Sequence, residues 1–364
     1  MSTAPEKTKK QEKDEVGLSQ SRLILRRFLR HKIAVASLIV IFLITGLAFT
    51  SIGFGPIPGW WPLTFQQLNT PVNGGQPTLS LIPKWAGGEG ISLGAHPFGQ
   101  DRIGKDNFAQ VMRGIQNSLT VMFVVAAIAT VLGTIVGGIA GFYRGVVDNI
   151  LMRITDLFII IPTLVIAAVL GQIASGAGLG VGVLFLGALL GLFGWMGMAR
   201  LVRAEFLSLR EREFVDAAKM AGASDRRIIF KHIVPNAIGV IIVTATLLMA
   251  GAILLEAALG YLNLGVRPPD VSLGGLISQN QSSFVTRPWL FWWPGVFIIL
   301  LTLAVNFVGD GLRDAFDPRQ SRFRPRRRSI IAAMFGSRAT GAGMRPSDPT
   351  SPRGDEKRSP EGTV

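Results

Sequence analysis

Long apolar segments separated by shorter polar ones dominate the pattern of this chain. A membrane span needs roughly 20 mostly apolar residues. Six segments meet that length, at about 33–52, 117–141, 150–173, 181–199, 237–259 and 289–309. None of them shows the alternating apolar and polar positions of a transmembrane barrel strand. The pattern therefore predicts an all-α integral membrane protein with about six transmembrane helices.

The polar segments between the spans predict the organisation of the chain. Residues 22–32 place apolar and basic positions at helical spacing, which suits a helix lying on the lipid surface before the first span. The predicted divisions are a basic cytoplasmic segment over 1–32, a first transmembrane helix over 33–52, an extracytoplasmic loop over 53–116, a five-helix core over 117–319 that contains a cytoplasmic loop over 200–236, and a disordered cytoplasmic tail over 320–364.

Composition and charge agree with a membrane protein and suggest its orientation. Hydrophobic residues make up 49% of the chain and charged residues only 16%, whereas soluble domains average about 25% charged. The net charge is +14. Thirty of the Lys and Arg residues fall before the first span, in the 142–149 turn, in the 200–236 loop and after residue 310, and six fall in the segments between. The positive-inside rule therefore predicts that both termini are cytoplasmic, and this distribution argues against a nucleic-acid partner.

The chain offers little for catalysis or metal binding. It has no cysteine, and its three histidines, His31, His96 and His232, lie in different segments. The phosphate-binding pattern Gly-x-x-x-x-Gly-Lys-Ser/Thr does not occur, so ATP binding by the known loop is not expected. We therefore expect a non-catalytic chain with no cofactor and no metal of its own.

Glycines recur at four-residue spacing in two of the predicted spans. Gly133, Gly137 and Gly141 form one ladder, and Gly187 and Gly191 form another. Small residues at this spacing let transmembrane helices approach closely, since lipid provides no hydrophobic drive for their association. Helix packing is the interpretation we favour for both ladders.

Ionisable and polar residues near the apolar spans are candidates for a structural or a transport role. Arg153 and Asp156 are three residues apart, so they share a helix face and can pair; Asp148 lies on the same segment. Glu256 lies toward the end of a span, where a carboxylate is costly and normally faces the bundle interior or a water path. An interior hydrogen bond and a place on the translocation path both remain open for Glu256. Asp156, Glu256 and Asn306 are the candidate residues for that path.

The loop over 200–236 is polar, basic and prone to form helices, although spans flank it on both sides. Residues 200–220 are mostly helix-forming. Gly222 is a natural stop, because a helix C-terminus often needs a residue with positive φ. Ser224 or Asp225 can then cap a second short helix. These positions predict a helix, a turn and a second helix that face water.

A proline and two alanines in this loop lead to two further predictions. Pro235 is expected to bar the helical conformation at Val234. Ala217 and Ala218 are expected to leave a smooth surface that a groove on another protein can accept.

This loop resembles the EAA loop of ABC-importer permeases, whose pattern is roughly Glu-Ala-Ala, three residues, Gly, and later Ile-x-x-Pro. The matching positions are Asp216-Ala217-Ala218, Gly222, and Ile233 to Pro235, and Asp216 departs from the usual Glu. In that family the loop docks into a groove on a cytoplasmic ATPase. The resemblance therefore implies that the ATPase-coupling residues are Glu213, Asp216, Ala217, Ala218, Met220, Ala221, Gly222, Ala223, Ser224 and Pro235.

Three further segments are similar to motifs of the dipeptide/oligopeptide/nickel branch of these permeases. They are the His-Pro-x-Gly-type segment at 96–106, the Leu-x-Leu-Gly-Val-x-Pro-Pro segment at 260–269, and the segment at 306–319, which looks like the closing signature of the second permease type. The departures from those patterns are Gln100, Lys105, Gly260 and Asn263.

The resemblance implies a type I ABC-importer permease fold and a place in the plasma or inner membrane of a prokaryote. It implies one of two unlike permease subunits, two cytoplasmic ATPases that bind ATP and magnesium, and an extracytoplasmic binding protein that delivers a short peptide. Relatives of this branch also carry nickel chelates, glutathione and other small solutes, so these remain alternatives. A secondary transporter that works alone is the alternative of another class, and the scarcity of intramembrane charges and of repeats argues against it.

Overall fold

The structure, a computed structural model, describes residues 20–80, 90, 92–176 and 182–317. The predicted tail over 320–364 and residues 1–19 lie outside the described residues. The helices within the described ranges are α1 Gln20–Arg30, α2 Lys32–Ser51, α3 Asn107–Tyr143, α4 Gly145–Ile159, α5 Thr163–Gly176, α6 Val183–Leu192, α7 Trp195–Arg210, α8 Glu213–Met220, α9 Asp225–Ile228, α10 Val234–Tyr261, α11 Leu273–Asn280 and α12 Trp289–Phe316. Two short antiparallel strands, β1 Gly53–Phe54 and β2 Ile57–Pro58, follow α2.

The helices confirm the prediction of an all-α membrane protein. Four of them are long and apolar enough to cross a membrane singly: α2, α3, α12, and the continuous helical run Asp225–Tyr261 that contains α10. Two further pairs pass the same test together, α4 with α5, bent by 74°, and α6 with α7, bent by 42°. The described residues therefore hold four single-helix spans, and up to six if each bent pair crosses once.

Three boundaries differ from the sequence prediction. The segment over 181–199 is not one helix, because α6 ends at Leu192 and α7 begins at Trp195. The segment over 150–173 is not one helix, because the chain breaks between α4 and α5 just before Thr163. Pro162 lies at this break, and a proline disfavours the helical conformation of the residue before it. Helix α3 begins at Asn107, ten residues before the predicted start at 117, because Asp106 caps it by accepting a hydrogen bond from the Ala109 amide at 2.9 Å.

Helix α3 lies at the centre of the bundle, and its glycine ladder explains how closely α7 approaches it. A Cβ atom at Gly137 would lie 2.3 Å from the carbonyl oxygen of Ala199 on α7. A Cβ at Gly133 would lie 2.5 Å from Met198, and one at Gly141 would lie 2.7 Å from the Arg203 carbonyl oxygen. The predicted packing role of this ladder is confirmed, since there is room only for hydrogen at these positions.

The second ladder packs α6 against another part of α3. A Cβ at Gly187 would lie 3.0 Å from the Val124 side chain, and one at Gly191 would lie 2.9 Å from Ile128. These contacts are looser than those of Gly137, because the neighbours are side chains and not backbone. Both ladders therefore build the bundle around α3.

The segment before α3 is an ordered structure that is tied to the start of that helix. His96 Nδ1 lies 2.8 Å from Asp106 Oδ1, and Trp61 Nε1 donates to Asp106 Oδ2 at 3.0 Å. The Asn107 side chain donates to the Phe98 carbonyl oxygen at 3.0 Å. Burial raises the pKa of the Asp106 carboxyl above its ordinary value, although the hydrogen bonds that it accepts oppose this. The motif at 96–106 thus serves to cap and anchor α3.

The motif at 260–269 ends α10 at a residue whose backbone is in the left-handed conformation. Asn263 has a φ of +56°, a conformation that asparagine tolerates better than most residues. The Asn263 amide donates to the Gly260 carbonyl oxygen at 3.0 Å, and the Leu264 amide donates to the Leu259 carbonyl oxygen at 2.8 Å. These two hydrogen bonds form a Schellman cap. The departure to Asn263 therefore keeps the conformation that this position requires.

Candidate functional site

The loop between α7 and α10 folds as a helix, a turn and a second helix, as predicted. Helix α7 ends at Arg210 and α8 begins at Glu213, so the helix-forming stretch is interrupted for two residues. Gly222 follows α8 with a φ of +75°. Its amide donates to the Lys219 carbonyl oxygen at 2.9 Å, and the Ala223 amide donates to the Ala218 carbonyl oxygen at 3.0 Å. This pair is again a Schellman cap, which fixes the direction in which the chain leaves α8.

The second helix begins where the sequence suggested. Ser224 is the N-cap residue of α9, with extended φ and ψ of −69° and 155°. Its side chain makes no capping hydrogen bond within the described part of the chain. The position of the cap is therefore confirmed, while the contribution of the hydroxyl is not seen.

Helix α8 has an inner and an outer side. Val215 is buried and Ala218 is partly buried, and both pack in the apolar cluster that also contains Phe206 of α7 and Ile233. The outer side is exposed at Ala217, so the two alanines expected to form one smooth surface divide between the two sides. The other residues implied to dock that are exposed are Glu213, Asp216, Met220, Ala221, Gly222, Ser224 and Pro235, whereas Ala223 is partly buried.

Large apolar side chains are exposed in this loop. Met220 is 91% exposed and Phe230 is 71% exposed, and Phe214 is also exposed. Exposed apolar side chains that form a patch mark a contact with another protein or with the membrane. The sequence prediction included Met220 and missed Phe214 and Phe230. Apolar residues in an otherwise polar and basic loop were the signal that could have identified them.

The predicted effect of Pro235 is wrong. Val234 is helical, with φ of −54° and ψ of −46°, and it opens α10 directly. A π-helical turn over Ile229–Ile233 precedes it, and the Val234 amide donates to the Ile229 carbonyl oxygen five residues back. We attribute the tolerance of Pro235 to this wider turn, because a proline ring clashes with the carbonyl four residues before it in an α-helix.

Ion pairs between α4 and α7 replace the pairing that the sequence suggested. Arg203 of α7 binds Asp148 of α4 through two nitrogen–oxygen contacts of 2.5 and 2.6 Å. Arg200 of α7 donates to Asp156 of α4 at 2.5 Å. The expected pair between Arg153 and Asp156 is therefore wrong, because the acidic side of α4 faces the basic side of α7.

These ion pairs matter because α4 has little other attachment to the bundle. Thr155 is the one residue of α4 that is buried. Arg144, just before α4, also contacts Glu211, just after α7, at 2.5 Å. Ion pairs thus join α4 to α7, the helix that leads directly into α8.

The three candidate residues for the translocation path lie in different surroundings. Glu256 of α10 is 0% exposed, and Ser118 of α3 donates to its Oε2 at 2.7 Å. Its Oε1 is buried without a partner among the described residues. Asp156, whose side chain is 50% exposed, is paired with Arg200, and Asn306 is partly buried on α12. The structure thus shows the interior hydrogen bond that was one of the two interpretations of Glu256, and it does not bring the three together.

A polar cluster on the other side of the bundle was not identified from the sequence. Arg113 of α3 binds both carboxylate oxygens of Asp270 at 2.8 Å, and Asn117 donates to the same carboxylate at 2.6 Å. Although burial raises the pKa of Asp270, these hydrogen bonds hold it below its ordinary value. The cluster fastens the loop after α10 to α3. Its members are far apart in sequence, so no local pattern could reveal it.

Family models identify the class of protein. The model described as "Binding-protein-dependent transport system inner membrane component" matches residues 129–322, which include the loop between α7 and α10. A second model, described as the N-terminal TM domain of oligopeptide transport permease C, matches residues 19–71. The chain belongs to the family of inner membrane components of binding-protein-dependent transport systems.

The similar curated relatives are oligopeptide and peptide permeases. The oligopeptide transport system permease protein OppC of Mycobacterium tuberculosis is 36% identical over 300 residues, which are 82% of this chain and 95% of the relative. The protein of the same name from Haemophilus influenzae is 35% identical over 294 residues, covering 81% of this chain and 87% of its own. A putative peptide permease of Brucella ovis is 36% identical over 295 residues, covering 80% and 89%. The predicted resemblance to this branch is confirmed.

Proposed function

We propose that this chain is one of two permease subunits of an ATP-driven, binding-protein-dependent importer of short peptides. The observation on which the proposal rests is the loop between α7 and α10, in which a Schellman cap at Gly222 ends α8 and Met220 and Phe230 are exposed. These exposed apolar side chains support a contact with a partner protein. The names of the similar relatives support a peptide as the solute.

The partners follow from the chemistry that this chain lacks. Its sequence has no phosphate-binding loop, so two cytoplasmic ATPases would bind ATP and magnesium and receive the outer side of α8. A second permease subunit would complete the pore, and an extracytoplasmic binding protein would deliver the solute. The chain itself would be non-catalytic.

The ion pairs between α4 and α7 suggest how movement of the ATPases would be transmitted to the membrane helices. Helix α7 leads into α8 and is joined to α4 by the Arg203–Asp148 and Arg200–Asp156 pairs. Movement of the docked ATPases would therefore displace α7 and α4 together. Alternation between inward-open and outward-open states as a rigid-body switch is the expected result.

Reconstitution tests the energy source. The purified chain alone is expected to show neither ATPase activity nor uptake into vesicles, because its sequence lacks the phosphate-binding loop pattern. Vesicles with the second permease, both ATPases and the binding protein should take up a radiolabelled tripeptide only with internal ATP and magnesium. The matched control replaces the phosphate-loop lysine of the ATPases. Uptake by this chain alone, driven by a proton gradient, would instead identify a secondary transporter.

A second test concerns orientation, which the distribution of basic residues predicts. Reporter fusions within 205–230 and after Arg319 are expected to report the cytoplasm, and fusions within 60–80 the outside. The two short strands and the capped start of α3 would then face the binding protein. A cytoplasmic reporter signal from the 60–80 fusions would refute this orientation.

A further inference from the structure

Two cavities lie side by side along α7 and α10. The first, of about 870 Å³, is bounded by α7, the first half of α10 and the end of α12. The second, of about 470 Å³, is bounded by α6, α7 and the middle of α10. Leu201, Thr244 and Leu247 line both cavities. The shared residues make the two cavities parts of one concave face.

The lining of this face changes from apolar to polar along the helices. The second cavity is lined almost entirely by apolar residues. The first cavity adds the polar residues Glu205, Asn236, Arg313 and Asp317. Sites for small molecules have volumes of about 300–1,000 Å³ and combine apolar walls with a few polar groups. The face meets both conditions.

Thr244 presents an unused hydrogen-bonding group to this face. It is only 8% exposed, and among the described residues its hydroxyl makes no side-chain hydrogen bond. Threonines in helices commonly donate to the carbonyl four residues before them, as Thr120 does at 2.8 Å and Thr155 does at 2.8 Å. Because Thr244 does not, its hydroxyl is available to an occupant of the cavities.

Two glycines leave additional room in the apolar part. Gly197 of α7 and Gly251 of α10 line the second cavity, and a Cβ at either would meet no atom within 4 Å. At Gly137, in contrast, the backbone of a neighbouring helix occupies the space that a Cβ would need. Gly197 and Gly251 therefore widen the second cavity and do not serve to bring two helices into close contact.

We propose that this face of α7 and α10 binds the peptide during its passage through the membrane. The proposal rests on the proposed function and assigns it a site. Apolar side chains of the peptide would lie over Gly197 and Gly251, and its amide groups would meet Thr244 and Glu205. A lipid chain would leave the Thr244 hydroxyl without a hydrogen bond, which is unfavourable in apolar surroundings. None of Asp156, Glu256 and Asn306 lines either cavity.

Photocrosslinking in the complete transporter tests this site. A benzoylphenylalanine replaces Leu247, which is 48% exposed and lines both cavities. The matched control replaces Leu254 of the same helix, which is 51% exposed and lines neither. During ATP-driven uptake, a radiolabelled tripeptide is expected to crosslink at position 247 and not at 254. Crosslinks at 247 to lipid or to the second permease alone, with no peptide label, would overturn the proposal.

Two substitutions supply an independent measurement. Leu247→Trp should fill the shared wall and abolish uptake, while Leu254→Trp should transport normally, both with the ATPases still co-purifying. Thr244→Val keeps the shape of the side chain and removes one hydrogen bond, so uptake at low peptide concentration should fall by about fivefold. Normal uptake by both Leu247→Trp and Thr244→Val would refute the site.

The outcomes separate this inference from the proposed function. If the unmodified complex imports no peptide, the proposed solute is wrong. The same crosslinkers are then used with the solute that it does import, for which a nickel chelate and glutathione are the probes. Labelling at 247 and not at 254 would still establish the site, and its lack would refute it.

Discussion

Gly222→Val is expected to abolish recruitment of the ATPases and, with it, transport. Gly222 has a φ of +75°, and the left-handed conformation costs an L-residue roughly 1–2 kcal/mol, more for a β-branched one. A Cβ at this position would meet no atom within 4 Å. The loss would therefore arise from the backbone, which must leave the Schellman cap and redirect α9. Co-purification of the ATPases at matched membrane levels measures the effect.

The control for this substitution is Gly222→Asn. Asparagine tolerates positive φ, as Asn263 does at the end of α10 with a φ of +56°. It should keep both the cap and the ATPases. If Gly222→Val recruits the ATPases as well as Gly222→Asn does, the cap has no part in docking.

Ala217→Arg tests the surface of the same helix without altering its backbone. Ala217 is exposed on the outer side of α8, so a long charged side chain there should obstruct a groove and leave the bundle intact. Uptake is expected to fall by at least about tenfold, equivalent to about 1.4 kcal/mol of binding free energy. Ser208→Arg, at an exposed position of α7, is the matched control. Full uptake and normal ATPase recruitment by Ala217→Arg would exclude α8 as the docking surface.

Gly137→Ala is expected to prevent assembly of the bundle itself. The added Cβ would lie 2.3 Å from the carbonyl oxygen of Ala199, a backbone atom that can move only if α7 moves away from α3. Overpacking of this kind costs on the order of 3 kcal/mol. The yield of monodisperse protein in detergent and its thermal unfolding measure the loss.

Gly46→Ala is the control for that substitution. Gly46 lies within α2, and a Cβ there would meet no atom within 4 Å. Its replacement should leave folding unchanged or slightly improved, because alanine favours a helix more than glycine does. Equal yields of the two variants would show that α3 and α7 are not held at the distance that the structure gives.

The class of fold and the general form of the loop follow from local patterns in the sequence. Apolar runs predict helices because lipid cannot satisfy exposed backbone groups. The turn at Gly222 follows from a local rule that links glycine to positive φ. The glycine ladders also predict close packing, since their spacing is a property of a single helix. Each of these signals lies within a short stretch of chain.

Which side chains meet could not be predicted from the sequence, because those contacts depend on how the helices pack. Arg200 rather than Arg153 pairs with Asp156, and Val234 remains helical before Pro235 because a π-turn precedes it. The concave face along α7 and α10 likewise depends on two helices that are separate in sequence, and Thr244 lines both of its cavities. Such contacts follow from how helices are placed relative to one another. That placement is set by the sum of many packing contacts, which no local pattern records.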